Sequence, residues 1–229
     1  MKNFTKCFGI IACAAIIGFL LAGCSTDDSG SGDAYSFSGY WTGNVINEGY
    51  TYDIVLVADS TLWVAAVEGY VEALGTYARL GSKVTFKQGN TTMGDASLIN
   101  NKLSIVITDA GMAGTYTFTR QPIPANPPIA GIWSGTVTNS GMNPASAPVL
   151  LASDGVNWIM GIPAWDFGYL GLVTAISGGY ELKEYGGDDG YGPLPGDTLA
   201  AAAIQDDTLT VTMDPINGPF SGQVTFTKN

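Results

Sequence analysis

Apolar and polar residues alternate with a period of two along much of the chain beyond residue 38. Segment 102–108 places aliphatic side chains on one face and mostly polar ones on the other, and segment 208–213 does the same. The apolar positions are Leu103, Ile105, Ile107, Leu209, Val211 and Met213. A period of two is typical of β-strands with one buried face. The pattern therefore predicts an all-β protein, with threonine dominating the outer face.

The first half of this region contains eight strand candidates separated by short turns. They span residues 39–46, 50–58, 61–67, 70–79, 82–87, 92–99, 102–108 and 113–120. Asn100-Asn101 and Asp206-Asp207 are typical of two-residue hairpin turns. Eight strands joined in this way predict an antiparallel meander that closes into a barrel. A tandem immunoglobulin-like sandwich is the alternative fold, although it needs longer crossing connections.

An internal repeat relates segment 39–120 to segment 131–228. Both open with the pattern G-x-W-[ST]-G-x-V, and both close on similar strands, 114–120 and 222–228. Between these ends, the run 55–58 followed by Trp63 matches the run 149–152 followed by Trp158. Ordered matches over the whole of each copy indicate a duplicated domain. The sequence therefore predicts two tandem small barrels.

The remaining segments divide the chain further. Residues 121–130 contain four prolines and predict a stiff linker between barrel 1 (37–120) and barrel 2 (131–229). Residues 24–36 are rich in Ser, Asp and Gly and predict a flexible tether. The first 23 residues have the features of an export signal.

The N-terminal segment resembles a bacterial lipoprotein signal. Lys2 and Lys6 precede an apolar stretch of about 14 residues, which is short of the ~20 needed to span a bilayer. The stretch ends in Leu21-Ala22-Gly23-Cys24, which is similar to a lipobox. The resemblance implies cleavage between Gly23 and Cys24 and lipidation of Cys24 by acyl chains such as palmitate.

This resemblance also implies a location. More than one acyl chain gives stable anchoring, so the lipid anchor is the expected link to a membrane. Residue 25 is Ser rather than Asp, which favours the outer membrane by the sorting rule of some Gram-negative lipoproteins. We therefore expect a lipid-anchored protein of the cell envelope, on either the periplasmic or the surface face.

The amino-acid composition restricts the kinds of chemistry that the protein could carry out. All three cysteines lie in the signal or at the anchor, so the barrels contain no disulfide. Without the signal, seven basic and twenty acidic residues remain, a net charge of −13 that disfavours nucleic-acid binding. The chain has no histidine, which excludes histidine-dependent triads and the commonest metal ligand. We expect neither an enzyme nor a cofactor.

The G-x-W opening and the closing strand that ends in a basic residue resemble the calycin group, which includes lipocalins and avidins. In lipocalins a basic residue near the end of the barrel packs across the tryptophan of the first strand. The resemblance thus implies that Arg120 packs on Trp41 and that Lys228 packs on Trp133, closing each barrel base by a cation–π contact. It also implies ligand binding, although each copy is shorter than an ordinary lipocalin.

Two groups in the second copy are candidate site residues. The aromatic residues Trp158, Trp165, Tyr169 and Tyr191 could contact an apolar or carbohydrate ligand, although a small barrel more often uses such residues as core. The carboxylates Asp188, Asp189 and Asp197 form a weak calcium candidate on a glycine-rich loop, which is better interpreted as solvated.

Two functions remain open from sequence. The first is a non-enzymatic binding or surface-interaction module for a small apolar or carbohydrate ligand or for an envelope component. The alternative is a structural or antigenic envelope lipoprotein with filled barrels and no small-molecule ligand. Segment 39–120 has a net charge of −2 and segment 131–228 of −8, which indicates that the two copies present different surfaces.

Overall fold

The computed structural model describes residues 36–229 except 48–49, 68–69, 81–82, 100, 109–112, 187–193 and 215–221. The described chain is all-β, with sixteen strands and one short 3-10 turn. The strands of barrel 1 are β1 (Gly39–Asn47), β2 (Tyr50–Ala58), β3 (Leu62–Val67), β4 (Tyr70–Leu80), β5 (Lys83–Gln88), β6 (Thr91–Ile99), β7 (Lys102–Ile107) and β8 (Gly114–Gln121).

Barrel 2 follows the same plan. Its strands are β9 (Gly131–Thr138), β10 (Ser146–Ser153), β11 (Asn157–Ile162), β12 (Phe167–Ile176), β13 (Gly179–Gly186), β14 (Leu194–Gln205), β15 (Thr208–Met213) and β16 (Gly222–Lys228). The 3-10 turn (Pro163–Trp165) lies between β11 and β12.

Each set of eight strands forms a closed antiparallel barrel. Consecutive strands pair throughout, β1 pairs with β8, and β9 pairs with β16. The predicted meander barrels are confirmed, and the strand limits in barrel 1 lie within one residue of the predicted ones. The immunoglobulin-like alternative is wrong, because closure between first and last strands leaves one continuous sheet per barrel rather than two packed sheets.

The register of the strands corrects one part of the repeat alignment. Trp41 pairs with Leu56 in barrel 1, and Trp133 pairs with Leu151 in barrel 2. Leu56 is therefore equivalent to Leu151, one residue later than the sequence match implied. Because the side-chain period of a strand is two, this shift decides which residues face inward: Leu151 lies in the barrel 2 core, whereas Leu150 faces outward.

Each barrel has its own interior cluster of buried apolar residues. A glycine on β1 and its equivalent on β9 permit close packing at the same place in each cluster. A Cβ built on Gly43 would lie 2.9 Å from Cδ1 of Phe118, and one built on Gly135 would lie 3.0 Å from Cδ1 of Phe226. The aromatic ring of the last strand therefore packs against bare backbone of the first strand, where the barrel closes.

Candidate functional site

The end of barrel 1 at which β1 begins, here called its base, is closed by a tryptophan. The indole N–H of Trp41 donates a hydrogen bond to the carbonyl of Phe37 at 3.1 Å. The guanidinium carbon of Arg120 lies 4.6 Å from the centre of the Trp41 ring. Arg120 also donates a hydrogen bond to the carbonyl of Ser36. These contacts fasten the incoming chain beneath the barrel.

The base of barrel 2 repeats this arrangement. Trp133 donates its indole N–H to the carbonyl of Ile129 at 3.0 Å, and Nζ of Lys228 lies 5.2 Å from the centre of the Trp133 ring. The structure therefore brings together both pairs that the lipocalin resemblance implied. The contacts serve closure of the barrels, since both tryptophans are fully buried.

The aromatic ligand candidates of barrel 2 lie in or against its core. Trp158 and Trp165 are buried, and their indole N–H groups donate to the carbonyls of Lys183 at 3.0 Å and Pro144 at 2.7 Å. Tyr169 is half-buried and packs against the same cluster. The indole donors are thus used within the protein, and the rings fill the barrel. Tyr191 lies outside the described residues.

The calcium candidate is only partly described. Asp188 and Asp189 lie outside the described residues, and Asp197 is exposed on β14. Across the parts of the chain that are described, no three Asp, Glu, Cys or His side chains form a group that could hold a metal ion.

Barrel 1 encloses a small cavity near the end opposite its base. Its volume is about 60 Å³, and its lining is apolar. Small residues create the space: Ala65 on β3, Ala73 on β4 and Gly94 on β6 all line it. Ligand pockets usually measure about 300–1,000 Å³. A cavity of this size could take a group as small as a few methylenes, not a lipocalin-type ligand.

Larger side chains occupy the equivalent positions of barrel 2. Leu56 pairs with Ala65, which pairs with Ala73. In barrel 2, Leu151 pairs with Met160, which pairs with Tyr169. Met160 is 2% exposed and belongs to the barrel core. Trp165, from the 3-10 turn, adds a further ring to that core.

A third apolar cluster joins the two barrels, and we call it the seam. Barrel 1 contributes outward-facing residues of β1–β4, and barrel 2 contributes those of the equivalent strands β9–β12. The buried members are Tyr40, Val55, Val57, Leu62, Val64, Ala66, Leu74, Ile132, Leu150, Ala152, Ile159 and Leu170. Both barrels therefore contribute equivalent strands to the seam.

Glycines of barrel 2 let the seam close tightly. A Cβ built on Gly161 would lie 3.2 Å from Cβ of Val64, and one built on Gly168 would lie 2.3 Å from Cγ1 of Val71. Barrel 1 carries Ala66 where barrel 2 carries Gly161, as the pairing of the two strands shows. The two halves of the seam are therefore complementary rather than identical.

A buried aspartate supplies polar contacts at the seam. Asp59 is 2% exposed, and its Oδ1 accepts hydrogen bonds from the backbone N–H groups of Thr61 and Leu62 at 2.7 and 2.6 Å. Its Oδ2 accepts a hydrogen bond from the hydroxyl of Ser134 in barrel 2 at 2.6 Å. The carboxylate thus links the β2–β3 turn to the first strand of the other barrel.

Tyrosines around the seam are held in their neutral form. Burial raises the pKa of Tyr40, and the charge of Asp154 across the seam raises it further. Burial and the negative charge of Asp154 also raise the pKa of Tyr185 to about 12. The hydroxyl of Tyr185 donates to the side-chain oxygen of Asn157 at 2.7 Å.

In barrel 1, burial raises the pKa of Tyr77 to about 12, and its hydroxyl donates to the carbonyl of Asp59 at 2.6 Å.

Sequence reasoning missed the seam, although a signal for it was present. Residues 54–58 and 149–152 are unbroken apolar runs, whereas a strand with one solvated face alternates. Burial on both faces of these strands explains the runs: Leu56 lies in the barrel, and its neighbours Val55 and Val57 lie in the seam.

No protein-family model matches the chain, and no curated protein matches it either. Within the described residues, no helix has the length and apolar character needed to cross a membrane. The function must therefore be argued from the geometry and from the N-terminal sequence.

Proposed function

We propose that the protein is an exported, lipid-anchored envelope protein whose paired barrels act as a non-enzymatic interaction module. The anchor would be Cys24, since Lys2, Lys6 and the apolar stretch before Leu21-Ala22-Gly23-Cys24 have the features of a lipoprotein signal. Ser25 favours the outer membrane. These residues precede the described part of the chain, so the sequence alone supports this step.

The small size of the interior space carries the choice of binding mode. The cavity of barrel 1 measures about 60 Å³, and the equivalent region of barrel 2 holds Met160, Tyr169 and Trp165. A drug-sized ligand needs several times this volume. We therefore propose that recognition takes place on the outer surfaces of the barrels, with another envelope component as the partner.

The difference in charge between the two barrels supports different roles for them. Segment 131–228 has only two basic residues, and Lys183 is already paired with Glu181 at 3.3 Å. An acidic surface of this kind favours partners that carry positive charge and disfavours nucleic acid. No catalytic residue is proposed, and the sequence lacks histidine, the side chain that most often serves as a general acid or base.

Native mass spectrometry of the mature protein, purified gently from its own envelope, tests the binding mode. We expect a mass equal to that of the lipidated chain alone, and no binding of an apolar fluorescent probe. A reproducible extra mass of a small molecule would overturn the surface-binding proposal. Loss of that mass on Ala65→Met would place the ligand in barrel 1.

The anchor is tested separately. Metabolic labelling with palmitate should mark the native chain and should not mark Cys24→Ala, which should also leave the membrane fraction. Ser25→Ala serves as the control, since it changes a neighbouring residue and retains the thiol. Equal labelling of the native chain and Cys24→Ala would contradict the lipid anchor.

A structural envelope lipoprotein without a specific partner is the second candidate. The seam favours it, because it fixes the two barrels to one another through twelve buried apolar residues. Cross-linking in intact cells discriminates the two candidates. A reproducible cross-link to one envelope protein, lost when acidic residues of barrel 2 are neutralised, favours the interaction module. Cross-links only between copies of this chain favour the structural candidate.

A further inference from the structure

The base of barrel 1 presents two large apolar side chains to solvent. Leu80 ends β4 and is 86% exposed, and Ile99 ends β6 and is 66% exposed. Lys83 and Lys102 begin the next strands, and the strand register pairs them with Leu80 and Ile99 respectively. We call these four residues the basal patch.

The basal patch is continuous across four neighbouring strands. Its members alternate with inward-facing residues such as Val84, Leu98 and Leu103, so all four lie on the outer face of the barrel. Lys83 pairs with Ser97, which joins the two hairpins. An open groove adjoins the patch, and Ile99 and Lys102 line it together with Ser97, Ser104 and Thr117.

The chain enters the barrel at this same end. Phe37 is 2% exposed beneath Trp41, and the carbonyl of Ser36 accepts a hydrogen bond from Arg120. Residues 25–36 would separate this point from a lipid on Cys24. Random-coil scaling gives such a segment a reach of roughly 20 Å. An anchor at Cys24 would therefore hold the base of barrel 1 within reach of the bilayer.

Barrel 2 has a different surface at the equivalent positions. Its register pairs Ile176 with Gly179 and Gln205 with Thr208, so neither lysine has a counterpart. The turn that corresponds to the one between β6 and β7 carries Asp206 and Asp207. This turn lies on the side of barrel 2 away from the seam, because the seam uses β9–β12. Barrel 1 therefore carries two lysines where barrel 2 carries Gly179 and Thr208, and the adjoining turn of barrel 2 is acidic.

We propose that the basal patch docks on a bilayer surface that contains anionic phospholipid. Leu80 and Ile99 enter the interfacial region, and Lys83 and Lys102 face the lipid phosphates. This inference rests on the proposed anchor at Cys24, which supplies the high local concentration that a contact of this size needs. Asp95 is the carboxylate that faces the patch; it pairs with Lys83 at 2.9 Å in an exposed, weak ion pair.

Docking orients the protein. Because the basal patch is confined to barrel 1, the bilayer would contact that barrel through its base. The opposite end of barrel 1 would then project away from the membrane, with the exposed side chains of Ile46 and Tyr50.

The test uses residues 36–229, since all three core clusters of the described chain lie within this segment. An N-terminal hexahistidine tag, bound by nickel-chelating lipids, holds residue 36 at the vesicle surface whether or not natural lipidation occurs. The segment has no cysteine, so Ser97→Cys or Ala203→Cys gives a single site for an environment-sensitive fluorophore. Ser97 and Ala203 are exposed and occupy equivalent positions in the two barrels.

On vesicles containing phosphatidylglycerol, emission from position 97 should rise roughly twofold or more, and emission from position 203 should not. Leu80→Ser with Ile99→Ser, or Lys83→Gln with Lys102→Gln, should abolish the rise, and Ile176→Ser should not. Salt at 1 M should weaken it, because the Debye length falls to about 3 Å.

No rise at position 97, or equal rises at both positions, would overturn the docking proposal. A rise that survives both double variants would also overturn it. The tag makes this result independent of lipidation, so failure of the anchor at Cys24 would be seen only in the palmitate experiment. Circular dichroism of each variant shows whether the barrels remain folded.

Discussion

In barrel 1, Leu56 pairs with Ala65 and Ala65 with Ala73, whereas in barrel 2 Leu151 pairs with Met160 and Met160 with Tyr169. The backbone plan, the closing tryptophans and the strand order are otherwise shared. The cavity of about 60 Å³ lies in barrel 1, whereas Met160, Tyr169 and Trp165 occupy the corresponding region of barrel 2. Duplicated barrels can thus tolerate different fillings while the contacts that close them stay fixed.

The substitution with the largest expected effect on stability tests the seam, to which both barrels contribute residues. Val64 is fully buried between the barrels, and Val64→Asp would place a charge there without a partner. We expect a loss of about 4 kcal/mol in the free energy of unfolding, because an uncompensated buried charge costs about 3–5 kcal/mol. Urea unfolding measures it.

Val106→Asp is the matched control, since Val106 is 48% exposed on the outer face of β7, away from the seam. It should change the stability by less than about 0.5 kcal/mol. Equal effects of the two substitutions would show that the seam does not form in solution.

The next prediction tests the difference in side-chain size between the interiors of the two barrels. Met160→Ala removes a buried side chain from the barrel 2 core and should cost about 3 kcal/mol. Ala65→Met adds the same side chain beside the existing cavity and should change the stability by no more than about 1 kcal/mol. Denaturant titration of both variants measures the asymmetry. A cost for Ala65→Met as large as that for Met160→Ala would mean that the cavity is not available.

Alkaline pH should affect the seam and the base of barrel 1 together. Tyr77 and Tyr185 have folded-state pKa values of about 12, raised from about 10. Their contribution is complete below pH 10 and is lost as the pH rises towards 12, because the unfolded chain releases these protons first. Both side chains are partly solvated, so we expect a combined loss of about 2 kcal/mol.

Thermal unfolding between pH 9 and pH 12 measures this loss. Tyr185→Phe should flatten the dependence, whereas replacement of the exposed Tyr50 by Phe should leave it unchanged. A stability that stays constant to pH 12 would contradict the burial of these hydroxyl groups.

The smallest expected effect concerns the basic residues at the two bases. Arg120 lies 4.6 Å and Lys228 lies 5.2 Å from the centre of its tryptophan ring. Arg120→Lys should cost about 1 kcal/mol, because lysine cannot reproduce planar stacking and the hydrogen bond to Ser36 together. Lys228→Arg should be neutral or stabilise by a few tenths of a kcal/mol. The reverse order of effects would show that ring stacking does not contribute.

The sequence predicted much of the local structure, for identifiable reasons. Period-two alternation and short Asn and Asp turns located the eight strands of barrel 1, since both signals are local. The duplicated G-x-W opening and closing strands located the second barrel. The lipocalin resemblance implied the contacts of Arg120 and Lys228, which the structure places over the rings of Trp41 and Trp133.

The site was less predictable, because its features depend on relations between distant residues. The aromatic candidates Trp158 and Trp165 belong to the core of barrel 2, and their N–H groups bond to backbone carbonyls 25 and 21 residues away. The cavity of barrel 1 depends on Ala65, Ala73 and Gly94 meeting across strands. The residue pattern along one strand predicts which side chains face inward. It does not predict the volume of the space that remains between facing strands.

The sequence by itself determined the all-β class, the duplication and the barrel meander, because strand periodicity, turn residues and repeat spacing are properties of short segments. Only the tertiary structure decided that the outer faces of β2 and β10 are buried in a seam. A one-residue shift in the strand alignment exchanges the inner and outer faces. The register of the closed barrel determines which residues face inward. The predicted strand order already places Leu80, Lys83, Ile99 and Lys102 at the end where the chain enters, because alternate hairpin turns of an antiparallel meander share one end; the tertiary structure showed that Leu80 and Ile99 remain exposed there.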